Sequence, residues 1–95
     1  MSKITVADLR RSVAYVNQDN PQARSLKDLS DEEFLKCDLI RNLGLGHVKL
    51  SDMVIDLRRH YNIDLPLEIF KVVADNTVHS FLDAINICLE DTNQA

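Results

Sequence analysis

Every apolar stripe in this chain repeats at helical spacing, and no segment alternates apolar and polar residues at period two. A sheet-based core is therefore excluded, and the chain reads as an all-α bundle. The organising stretch lies at residues 47–61. Leu50, Met53, Val54, Leu57 and Tyr61 fall at i, i+3, i+4, i+7 and i+11, one face of a helix. Residues 78–89 carry the cleanest stripe, with Val78, Phe81, Leu82, Ile85, Cys88 and Leu89 in register. A narrower seam of Val6, Leu9, Val13 and Val16 marks a third long helix. With 2 glycines and 2 prolines in 95 residues, turns are too sparse for a β fold. The expectation is a small helical bundle in one domain, with three main helices and one or two short ones.

Local signals set the boundaries. Thr5 is a helix N-cap, with Asp8 in the first turn favouring the positive end of the helix dipole. Arg10, Arg11 and Ser12 fill the outer side of that helix. The polar run 17–21 stops it at Pro21. Residues 22–29 read as a loop pinned by Leu26 and Leu29. Ser30 and Glu33 form a capping box ahead of Phe34, Leu35 and Cys37, which gives one or two helical turns. Gly44 and Gly46 permit tight or positive-φ geometry before the organising helix, expected over 48–61. Pro66 suits the first position of a short helix over 67–73, with Ile69, Phe70 and Val73 inward. Asp75, Asn76 and Thr77 make a turn and cap. The last stripe ends at Leu89, and residues 89–95 run out as a polar, frayed tail.

Charge narrows the partners. A formal charge of −4 and a pI near 5.2 oppose nucleic acid and anionic membrane, both of which need clustered cations. No apolar run approaches the ~20 residues of a membrane span. Cys37 and Cys88 stand far apart, with no signal-peptide pattern, as expected of reduced thiols in a cytoplasmic monomer.

Candidate chemistry is sparse. Val48 and Ile55 lie one heptad apart, opposite the core stripe, with Asp52 and Asp56 beside them: an outward apolar patch edged by acid, suited to docking a protein partner. His47 and Ser51 stand at i and i+4, a spacing that would allow a base–nucleophile pair. No third group is evident to orient the imidazole, and no oxyanion site is recognisable, so no catalytic residue is assigned and the chain is expected not to be an enzyme. The histidines and cysteines show no metal-ligand spacing. Gly44 and Gly46 lack the third glycine and preceding strand of a nucleotide loop.

The segment Leu43-Gly44-Leu45-Gly46-His47-Val48 resembles the Leu-Gly-x-Asp-Ser-Leu turn of the acyl carrier protein family. The likeness runs on through the following helix to Tyr61-Asn62-Ile63-Asp64-Leu65-Pro66, where that family ends a polar turn in Ile-Pro. It continues to Asn76-Thr77-Val78, similar to the start of the family's last helix, and spans residues 39–85 without gaps. It implies an acyl-carrier-like topology and docking to an acyl-transfer or synthase enzyme of a fatty-acid or polyketide-type pathway. On that resemblance the contacting residues are Gly46, His47, Val48, Ser51, Asp52, Ile55 and Asp56. The departure falls at the functional centre. The serine that carries the phosphopantetheine arm corresponds to His47, and its preceding aspartate to Gly46. An imidazole offers no hydroxyl for a phosphodiester, and a phosphorus–nitrogen link would be hydrolytically labile, so no cofactor is expected. The alternative is a genuine carrier holding 4'-phosphopantetheine on a non-standard residue such as Ser51. Lys49, Arg58 and Arg59 also dilute the acidity usual for that helix.

Overall fold

A computed structural model of the chain describes residues 3–19, 29–67, 69–71 and 75–94. Helix α1 spans Val6–Val16, α2 Asp31–Lys36, α3 His47–Tyr61 and α4 Val78–Gln94, with a 3-10 turn at Ile69–Lys71. The all-α bundle expected from the stripes is therefore the fold, and the described residues contain no strand beyond one isolated bridge.

Two capping boxes start the first helices. Thr5 Oγ1 accepts from the Asp8 amide at 3.1 Å, while Asp8 Oδ2 accepts from the Thr5 amide at 2.9 Å. Ser30 and Glu33 repeat the arrangement at the head of α2. Helix α3 ends at Asn62, whose φ of 53° places it in the left-handed region that asparagine tolerates and that closes a helix.

The core draws one stripe from each long helix: Leu9 and Val13; Leu50, Met53, Val54 and Leu57; Val78, Phe81, Ile85 and Leu89. Phe34 from α2 and Leu39, Leu43, Leu45, Ile63, Leu65 and Ile69 from the connections complete it. Helix α1 packs on α3, α2 on α4, and α4 on the 3-10 turn. Hydrogen bonds tie the ends together. Asn86 on α4 accepts from the Ile4 amide at 2.9 Å and donates to the Ile4 carbonyl at 3.0 Å, clamping the entry to α1. An antiparallel bridge between Asp38 and Thr77 joins the exit of α2 to the entry of α4, through Leu39 N–H to Asn76 O at 2.7 Å and Val78 N–H to Cys37 O at 2.9 Å.

One expectation is corrected. Ser12 does not face outward: it is fully buried, and Arg11 is turned along α3, because α3 covers that flank of α1 and supplies a carboxylate to both. Helix α4 continues to Gln94, beyond the last residue of its apolar stripe, Leu89; residues 90–94 contain neither glycine nor proline to stop it. Within the short helix expected over 67–73, a 3-10 turn spans Ile69–Lys71, with the Ile69 amide donating to the Pro66 carbonyl at 3.2 Å and Leu67 exposed. Ile69 is inward as expected. Val72, Val73, the Phe70 side chain and the loop over 20–28, Leu26 included, lie outside the described residues.

Candidate functional site

The site to be tested is the N-terminal half of α3 and the turn that feeds it. Asp38 organises that turn: its Oδ1 accepts from the Ile40 amide at 2.8 Å and the Arg41 amide at 2.7 Å. This is the local bonding that lets a short acidic side chain stand in for backbone. Asn42 Oδ1 accepts in turn from the Asp38 amide at 2.7 Å. The chain then reverses at Gly44, where φ is 68°, the conformation a side chain resists. Gly46 differs. Its φ of −76° and ψ of −179° are open to any residue, and a Cβ there would meet nothing within 4 Å. It serves as the N-cap of α3 with no side-chain bond to the helix.

The outward residues follow from about 100° per residue. His47 opens the helix and is exposed. Val48 is 76% exposed, the largest value among the exposed large hydrophobic residues of the described chain. Asp52 is exposed, while Ser51 and Ile55 are half-buried. These residues share a surface as expected, with one exception. Asp56 is withdrawn from it: its side chain is 13% exposed, and its Oδ2 accepts from Arg11 Nη2 at 2.6 Å and Ser12 Oγ at 2.9 Å. The acidic edge of the patch is thus Asp52, and Asp56 belongs to the α1–α3 seam. Arg11 also donates through Nε to the Tyr61 hydroxyl at 3.1 Å. These bonds and the Asp56 charge outweigh partial burial and raise the guanidinium above its ordinary range.

Sequence reasoning missed this seam because it placed Arg11 and Ser12 on solvent. The available signal was the count of polar residues on α1 within reach of a carboxylate on α3, visible only once the two helices are paired. Lys49 is also redirected. Its Nζ donates to Asn17 Oδ1 at 2.9 Å, and buried Asn17 donates through Nδ2 to the Leu43 carbonyl at 2.8 Å. The lysine thereby sits at the carbonyl end of α1, whose last turn holds no cation of its own.

Between the end of α1 and the outer side of α3 lies an open groove of about 420 Å³, with Tyr15, Asp19, Asp52, Ile55 and Arg59 on its walls. A second, of about 610 Å³, runs from Ile55 past Arg58 and Arg59 to Asn62, Ile63 and Leu67.

The residues present do not fit a phosphopantetheine ester at the position the resemblance implies. His47 has no hydroxyl, and Ser51 stands one full turn inside α3, beyond the free amides of the helix end that would favour a phosphate. Among the described residues, no group of three or more His, Cys, Asp or Glu is placed to hold a metal ion, and no helix is long and apolar enough to cross a membrane. Cys37 and Cys88 are both thiols, and burial together with the Glu33 charge pushes the Cys37 thiol up, away from reactive thiolate. Comparison with family models, with curated proteins and with solved structures finds no match.

Proposed function

We propose that this chain is an acyl-carrier-like docking module without a covalent arm. On this reading it is a non-enzymatic cytoplasmic protein. It presents Gly46, His47, Val48, Ser51, Asp52 and Ile55 to an acyl-transfer or synthase enzyme of a fatty-acid or polyketide-type pathway. The observation that carries the reading is Val48, a β-branched apolar side chain left 76% exposed on the second residue of a helix whose first residue is His47. An apolar residue so placed, beside half-buried Ile55 and exposed Asp52, makes a small hydrophobic centre with a polar rim, the anatomy of a protein contact. The order of the described elements supports it too: a long first helix, a short second, the organising helix, a 3-10 turn and a long last helix agree with the topology the resemblance implies.

Two measurements test it. Incubation with coenzyme A and a broad-specificity phosphopantetheinyl transferase leaves the intact mass unchanged. A gain of one arm, lost in Ser51→Ala, would instead establish a carrier with a displaced attachment residue. In a titration of labelled protein with a purified ketoacyl synthase, amide shifts concentrate at residues 46–55 and vanish in Val48→Asp. Shifts confined to α4, or none at all, would defeat the docking reading.

A further inference from the structure

The C-terminal half of α3 presents a second surface of opposite character. Arg58 and Arg59 follow Ile55 by three and four residues, so on a helix they flank it on either side. Both are exposed, and neither makes an ion pair among the described residues. The groove they border, about 610 Å³, has Ile55, Ile63 and Leu67 as its apolar lining, and Leu67 is 42% exposed. In a protein of net charge −4, two adjacent unpaired guanidinium groups over an apolar floor are a local inversion of sign. Other cations of this fold are held by side chains of the same chain: Arg11 by Asp56, Lys49 by Asn17, Arg10 by Asp31 and Lys3 by Glu90.

The geometry points to a docking groove for an acidic amphipathic segment of a partner protein, its apolar side chains against Ile55 and Leu67 and its carboxylates on Arg58 and Arg59. Guanidinium groups match carboxylates in a planar, two-pronged contact, and the groove supplies the apolar part of the same footprint. Protein is favoured over an anionic membrane because exposed Asp52 lies seven residues before Arg59, on the same face of α3, and a flat negative surface would approach it as closely as it approached the arginine. This surface goes beyond the one centred on Val48, and the two share only Ile55.

The test uses the whole chain and three probes: a synthetic helical peptide with Leu at i and i+4 and Glu on its flanks, the same peptide with Lys for Glu, and phosphatidylglycerol vesicles. The acidic peptide shifts amides over residues 55–67, weakens on raising the salt, and binds at least about tenfold less well to Arg58→Glu/Arg59→Glu. Val48→Asp leaves that binding intact, so failure here and failure of the Val48 reading are told apart. Binding by the Lys peptide of equal strength, binding to the vesicles in place of the peptide, concentration-dependent dimerisation abolished by the double reversal, or no binding at all would each overturn the proposal. Far-UV circular dichroism establishes that the double variant is folded, and Arg58→Gln/Arg59→Gln, which removes charge without reversing it, gives an intermediate loss.

Discussion

Truncating Asp56 to alanine separates a carboxylate that holds the bundle together from one that decorates a surface. Asp56 Oδ2 takes two hydrogen bonds, from Arg11 Nη2 at 2.6 Å and from Ser12 Oγ at 2.9 Å. The Ser12 hydroxyl belongs to a fully buried residue, and losing its acceptor leaves it unsatisfied at a cost of about 1–2 kcal/mol. Arg11 is a different case: its side chain is 36% exposed and keeps the Tyr61 hydroxyl, so water screens and partly replaces the pair. Its loss is therefore worth the ~0.5–1 kcal/mol of a surface pair rather than that of a buried one. Because the two bonds share one oxygen they do not add fully, and the total is about 2 kcal/mol. For a domain of this size that lowers the melting temperature by about 10 °C. Urea denaturation and thermal melting followed by far-UV circular dichroism measure it. The exposed Asp52→Ala stays within about 0.5 kcal/mol of wild type. A cycle of Asp56→Ala with Ser12→Ala returns a coupling of about 1 kcal/mol. An Asp56→Ala protein within about 0.5 kcal/mol of wild type, or one no worse than Asp52→Ala, would refute the buried-seam argument.

Leu57→Ala empties a fully buried site and costs about 2–5 kcal/mol, whereas Ile55→Ala, on the half-buried outer face, costs less than about 1 kcal/mol; the reverse order in denaturant would mean that the faces of α3 are misassigned. Gly44→Ala forces a side chain into φ of 68° and loses about 1 kcal/mol, while Gly46→Ser, in open extended geometry, is neutral or gains a few tenths of about 1 kcal/mol by capping α3; equal effects at the two glycines would contradict the turn. Acid weakens the fold through three carboxyls. Burial pushes Asp8 up, but bonds from the Thr5 amide and hydroxyl, with Tyr61 and Arg11, outweigh it and hold it below its ordinary value. Bonds from Ser30 depress Glu33, and bonds from Thr77 depress Asp75. A carboxyl depressed by folding adds stability above its unfolded value and loses it as pH falls through its folded value. Thermal midpoints thus hold from neutrality to about pH 5 and drop below it. Asp8→Asn/Glu33→Gln/Asp75→Asn flattens that drop, and an unchanged slope in this variant would exclude the caps as its source.

Much of this molecule was written locally. The stripes through Leu50, Met53, Val54 and Leu57 and through Val78, Phe81, Ile85 and Leu89 require nothing beyond helical geometry to be read, and each is buried. Thr5 and Ser30 act on amides three residues ahead, so their capping boxes are legible in a window of four residues. The outward placement of Val48 and the absence of a hydroxyl at His47 follow from the same one-dimensional information. Tertiary structure decided whatever depends on which helix lies next to which. Arg11, Ser12, Lys49 and Asp56 are polar on every scale, and a polar residue beside an apolar stripe reads as solvated until a partner for its charge is brought alongside. Pairing α1 with α3 brings it: the packing buries Ser12, turns Asp56 inward and ties Lys49 to Asn17. Arg58 and Arg59, two and three residues beyond Asp56, make no ion pair among the described residues and keep their charge on the surface. A side chain's affinity for water is encoded in its own atoms, but whether water or another helix satisfies it is settled by distances the chain acquires only on folding.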